Sequence, residues 1–135
     1  SVGRLDFNTT GLLLFTTDGD LAHRLMHPSF GMEREYLCRI RGKASPAQIE
    51  KLKKGVVLDG QSCRFEQIRV RKGPSTHRWY EVVVQEGRYR EVRRLWAAVD
   101  CTVSRLIRIR YGSIRLPEDL RAGCWIELDA NDLRS

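Results

Sequence analysis

The chain has 135 residues, with 24 Lys and Arg against 17 Asp and Glu, a formal net charge of +7, 41% hydrophobic and 8% aromatic residues. That length and apolar content suit one domain with its own core, which excludes a disordered basic tail and a scaffold held only by disulfides or metal. No stretch approaches the roughly 20 apolar residues of a membrane span, and the start lacks the succession of a signal peptide, so a cytoplasmic protein is expected. Cys38, Cys63, Cys101 and Cys124 stand singly without a Cys-x-x-Cys pair, which predicts reduced, partly buried thiols and no structural zinc. The chain opens Ser1-Val2 without an initiator Met and is inside a motif by Gly3, so a fragment of a longer protein is expected.

Asp6 to Gly11 reads as a turn, because Asp, Asn and Gly supply local hydrogen bonds and positive φ where a chain reverses. Leu12 to Thr16 is a short apolar run ended by Asp18-Gly19, which predicts a buried strand and a tight turn. A helix follows, with Asp18 as N-cap, Leu21 and Leu25 on one face and Pro28 as its stop. Arg34 to Arg41 predicts a strand with Tyr36, Cys38 and Ile40 on one face and Glu35, Leu37 and Arg39 on the other. Ser45-Pro46-Ala47-Gln48 predicts a capping box with proline at the first helical position, and Gly55 ends that helix.

Arg64 to Arg71 and Arg78 to Gln85 predict an antiparallel pair joined through Lys72-Gly73-Pro74-Ser75, with Tyr80, Val82 and Val84 pointing one way. Arg90 to Val99 has Val92, Leu95, Trp96 and Val99 at helical spacing, leaving Arg90, Arg93 and Arg94 at the edges of the buried stripe. Cys101 to Tyr111 predicts a strand with Ile107 and Ile109 opposite Arg108 and Arg110, and Trp125 to Leu128 a last short strand. Strands outnumber helices and neighbours are hairpin-linked, so the expected class is α+β with a mixed, largely antiparallel sheet and flanking helices.

Charge is unevenly spread. From Glu86 to Arg115 eight arginines face Glu86, Glu91 and Asp100, a balance of +5, whereas the first 30 residues carry −1. Arginine's planar fork suits phosphate oxygens and stacks on bases, so the expected partner is a nucleic acid. A membrane surface fits less well, because the Val92, Leu95, Trp96 stripe is narrow enough to be ordinary core.

Three motifs in order carry a resemblance. Gly3-Arg4-Leu5-Asp6 with Thr10-Gly11-Leu12-Leu13-Leu14 and Thr16-Thr17-Asp18-Gly19 is the first, Glu33-Arg34-Glu35-Tyr36 the second, and Glu86-Gly87-Arg88-Tyr89-Arg90-Glu91-Val92-Arg93-Arg94-Leu95 the third. Together they resemble the RsuA family of ribosomal RNA pseudouridine synthases. Val103 to Gly112 and Gly123-Cys124-Trp125 are most similar to the RluB branch, whose members modify large-subunit RNA. Thr17, where Asn is usual, is a small departure. The resemblance implies that residues 1–135 are a partial catalytic domain without the small S4-type RNA-binding domain that usually precedes it.

The same resemblance implies the site. Asp6 matches the essential carboxylate, acting as nucleophile at uracil C6 or ribose C1′ or as base at the sugar. Arg93 matches the basic partner that keeps a carboxylate ionised and directed. Tyr36 matches the tyrosine that stacks on the target base, with plain strand core as its competing reading. The reaction breaks the ribose bond to uracil N1 and rejoins through C5, without redox change or net hydrolysis, so neither cofactor nor metal is expected. The target uridine must leave its stack, and Arg4, Arg88, Arg90, Arg94, Arg105, Arg108 and Arg110 are the expected contacts to a 23S rRNA stem-loop. The oligomeric state is not indicated.

Other classes use the same residues differently. In a non-catalytic RNA-binding domain, Asp6 is only a turn residue. In a metal-dependent nuclease, His23 and His27 at helical spacing would act with Asp18 or Asp20. A glycosidase would need a second carboxylate motif.

Overall fold

The computed structural model describes residues 10–11, 33–71, 78–85, 90–112 and 114–115. Its strands are β1 (Thr10–Gly11), β2 (Arg34–Ile40), β3 (Val56–Leu58), β4 (Gln61–Cys63), β5 (Gln67–Arg71), β6 (Arg78–Val84), β7 (Val103–Tyr111) and β8 (Ile114–Arg115). Its helices are α1 (Pro46–Lys54) and α2 (Glu91–Ala98). The strand after Leu12, the helix after Asp18, the turn through Lys72-Gly73-Pro74-Ser75, and the strand from Trp125 lie outside the described residues.

β2 is hydrogen-bonded along both edges, to β6 and to β7, and the sheet runs β1-β7-β2-β6-β5 with β8 also on β7. Among the described pairs only β1 with β7 is parallel, which makes this the mixed, largely antiparallel sheet of an α+β fold. Register fixes the rows: Tyr36 stands between Val82 and Arg108, and Cys38 between Tyr80 and Leu106.

The apolar residues on that side of the sheet meet both helices in one core. Cys38, Ile40, Tyr80, Val82, Val84 and Leu106 pack with Leu52 of α1 and with Val92, Leu95 and Trp96 of α2. Trp96 is the largest buried side chain, its ring centroid 5.6 Å from Phe65 and 5.1 Å from Tyr80. Rings tilted at such distances add packing energy beyond the area they bury.

The capping box forms as its spacing predicts. The Gln48 amide N–H donates to Ser45 Oγ at 3.2 Å, and the Ser45 amide donates back to Gln48 Oε1 at 2.7 Å. Gln48 Nε2 also donates to the Val99 carbonyl at 2.7 Å, so one side chain caps α1 and anchors the end of α2. Gly55 then turns the chain with φ +125°, and a Cβ there would lie 2.9 Å from Ser62 Oγ. That close approach lets the β3–β4 hairpin fold back on the helix.

The hairpin itself is absent from the sequence reading. Its signal was present: Asp59-Gly60 between short strands, both with positive φ (51° and 78°), as a tight two-residue hairpin turn requires. A larger correction concerns β7. Strict alternation puts Arg108 and Arg110 on one face, but the pairing with β2 shifts between Glu35 and Tyr36, so Arg110 stands opposite Glu35 and Arg108 opposite Tyr36. A second shift lies between Arg39 and Ile40 and leaves Ser104 as the extra residue. Bulges of this kind re-aim side chains, and here the first sets Arg110 on the face opposite Arg108.

Candidate active site

The second sequence motif ends on β2, where Tyr36 is half-buried and packs against the edge of the core. Its neighbour across the strand is Arg108 of β7, and the next strand beyond is β1, with Gly11 opposite Arg108. One lateral row therefore runs Gly11, Arg108, Tyr36, Val82. Asp6 is four residues upstream of Thr10 in the sequence and lies, with Arg4 and Arg88, outside the described residues.

Arg108 was expected at the surface facing RNA, yet it is only 1% exposed. Its guanidinium carbon lies 5.3 Å from the centroid of the fully buried Tyr111 ring, and that of Arg34 lies 5.2 Å from the same ring. Two cations beside one buried ring gain from its π-system, and Arg108 holds its positive charge next to β1 without full hydration. Sequence reading missed Arg34 and Tyr111. Only their cross-strand registry brings them together, which no local spacing reveals.

Arg93 arrives from the other side. It projects from α2, Nη1 donates to the Val103 carbonyl at 3.5 Å, and its charge acts on the Cys38 thiol two residues along β2 from Tyr36. Burial pushes that thiol up to about 12, against smaller lowering contributions from the neighbouring Trp96 indole and from Arg93. Cys38 thus stays a protonated core group. Cys63 and Cys101 are likewise free and buried, and burial also raises Cys101, with the neighbouring Asp100 charge adding to it. Tyr36, Arg93 and Arg108 therefore lie on the helix-covered side of the sheet, with Arg93 at the Val103 end of β7.

The remaining arginines do not. Arg94 turns away from Arg93 and pairs with Asp59 of the hairpin turn at 2.8 Å. Arg110 projects from the opposite face, to Glu33 at 3.2 Å and to buried Glu35 at 3.3 Å, and donates to the Gly112 carbonyl at 2.7 Å. Arg105 is exposed on that same opposite face, across from Arg39. Arg90 precedes α2 in the left-handed region, with φ 51°. A non-glycine residue held there carries strain, of a kind that clusters at functional sites. Among the described residues no three His, Cys, Asp or Glu side chains group to hold a metal, and no helix is long and apolar enough to cross a membrane. His23, His27, Asp18 and Asp20 lie outside the described residues.

Comparison with known proteins bears on this geometry. The chain is 55% identical over 129 residues to "Ribosomal large subunit pseudouridine synthase B" of Escherichia coli (strain K12), covering 96% of this chain and 44% of that protein. It is 54% identical over 133 residues to the protein of the same name from Vibrio vulnificus (strain CMCP6), covering 98% of this chain and 42% of that one. The chain thus spans less than half the length of these curated relatives. A crystal structure of a pseudouridylate synthase superposes with a TM-score of 0.85 at 28% identity, over 98% of this chain and 56% of the other. Residues 1–98 match the RNA pseudouridylate synthase family, which is the broad grouping that the three motifs anticipated, and the chain belongs to that family.

Proposed function

We propose that residues 1–135 form the catalytic part of a pseudouridine synthase that isomerises a uridine of 23S ribosomal RNA in the bacterial cytoplasm. The observation that carries this reading is the row Gly11, Arg108, Tyr36, in a chain more than half identical to named large-subunit pseudouridine synthases. Asp6 supplies the essential carboxylate. It stands four positions upstream of Thr10, whose strand β1 pairs with the strand that carries Arg108.

In this reading positive charge near Asp6 favours its ionised form at neutral pH. Arg93 is the basic partner that directs the carboxylate, and Tyr36 lays its ring against the extruded base. Extruding the uridine costs a few kcal/mol, offset by contacts to the RNA backbone. Arg108 and Arg110 have internal partners, so the phosphate contacts fall to Arg4, Arg88, Arg90, Arg94 and Arg105. Arg94 can exchange its surface partner Asp59 for phosphate at little cost. Bond cleavage at N1 and re-formation at C5 conserve all atoms of the nucleotide, so the chemistry calls for no redox cofactor.

The test is pseudouridine formation in a large-subunit rRNA stem-loop, comparing the intact protein with its Asp6→Asn variant. The variant should lose activity by about 10³-fold or more while its RNA affinity changes less than about threefold. Tight binding without pseudouridine by either protein would instead identify a binding module.

A further inference from the structure

The face of the sheet turned away from the described helices carries a row of which the catalytic reading uses Arg105 alone. Arg105 of β7 stands opposite Arg39 of β2, Arg39 opposite Trp79 of β6, and Trp79 opposite Arg71 of β5. Registered partners project from the same side of a sheet, so three arginines and an indole lie side by side across four strands.

The row is an unfavourable arrangement for folding alone. Like charges directly opposite one another destabilise a sheet, and neither Arg39 nor Arg105 is ion-paired with a carboxylate among the described residues. Arg71 reaches Glu81 at 3.7 Å while staying half exposed.

Arg39 is nevertheless held in place, and by neutral groups. Its Nε donates to Ser104 Oγ at 2.9 Å, Ser104 Oγ donates to the Arg39 carbonyl at 3.1 Å, and the guanidinium carbon lies 5.8 Å from the Trp79 ring centroid. Ser104 occupies that position because of the register shift beside it. A guanidinium oriented by a hydroxyl and an indole keeps its two terminal nitrogens for an anion, and exposed Arg105 adds a second fork beside it.

We propose that this row is an outlying RNA-binding surface, in which Arg39 and Arg105 clamp a backbone phosphate and half-buried Trp79 stacks a neighbouring base. It rests on the reading of the partner as RNA. An aromatic side chain flanked by cations in a positively charged groove or face is a recurring platform for single-stranded nucleic acid. Tyr36 and Arg108 project from the other face, so this surface holds RNA that flanks the reacting nucleotide.

The experiment is equilibrium binding of a labelled large-subunit rRNA stem-loop with single-stranded flanks, over a series of salt concentrations, to the intact protein. Arg39→Gln with Arg105→Gln should weaken binding about tenfold and lower the slope of log K against log salt by about 0.7 to 0.9, as for one lost phosphate contact. Trp79→Leu should weaken binding about tenfold with the slope unchanged. Arg105→Glu forms a cross-strand pair with Arg39, so it should keep or raise the thermal midpoint while losing as much affinity as the double variant. Wild-type affinity and slope in both arginine variants would overturn the inference, even where the intact protein makes pseudouridine. Lost affinity in those variants, with no pseudouridine made by the wild type, would uphold the surface and sink the catalytic reading.

Discussion

Arg108 and Arg105 sit three residues apart on one strand and live in different environments. Arg108 is 1% exposed on the helix-covered face, against the ring of Tyr111, while Arg105 is exposed on the other face, opposite another arginine. The covered face is dry and apolar around Cys38, Tyr80 and Trp96, with Arg108 buried beside Tyr36 and Arg93 acting on Cys38 from its edge. The open face mixes apolar Leu37, Ile107 and Val83 with charge, one end neutralised by Glu33 and Glu35 against Arg110 and the other left cationic around Arg39. An arginine-rich strand is therefore no uniform basic surface: alternation separates Arg105 from Arg108, and the bulge between Glu35 and Tyr36 turns Arg110 to the open face.

The sharpest way to break this contrast is to truncate both arginines. Arg108→Ala should cost about 3 kcal/mol, since it removes a buried stem and strands its partners, whereas Arg105→Ala should stay within about 0.5 kcal/mol. Urea midpoints would read the difference, and equal losses would mean that Arg108 is not interior. Next in size is Glu35→Gln. The Glu35 side chain is 4% exposed and holds Arg110 at 3.3 Å and Arg115 at 3.5 Å, so neutralising it should cost about 2 kcal/mol. High salt should leave most of that loss in place, because a buried pair is poorly screened.

The smallest effect concerns the dry side. The Cys38 thiol, raised from 9.0 to about 12, keeps its proton where the unfolded chain has lost it. Folding then takes up a proton, so stability falls as pH rises through this interval, by about 1 kcal/mol per unit. Denaturation of wild type and Cys38→Ala from neutral pH to about pH 10 should show a shallower fall in the variant. Parallel curves would mean that water reaches the thiol and that the covered face is not dry.

Local chemistry accounts for much of this fold. The capping box at Ser45, the buried stripe Val92, Leu95, Trp96 and the alternation through Tyr36, Cys38 and Ile40 were all readable, because each is set by residues within one or two turns or a few strand positions. Asp59-Gly60 carries a turn signal too, but its flanking strands of three residues each are too short to show an alternation. The motif residues Asp6, Tyr36 and Arg93 came from resemblance, and the described structure brings Tyr36 and Arg93 to the same side of the sheet.

Composition, spacing and capping were sufficient for the α+β class, the basic character and the elements that build the core. They could not assign the faces of β7. A side chain's face depends on pairing register, register depends on a neighbour far away in the chain, and one inserted residue reverses every position beyond it. The burial of Arg108 beside Tyr36, the pairing of Arg110 with Glu35 and the opposed arginines at Arg39 and Arg105 all arise there. Each is a contact between residues more than 60 positions apart, which exists only once the sheet has closed.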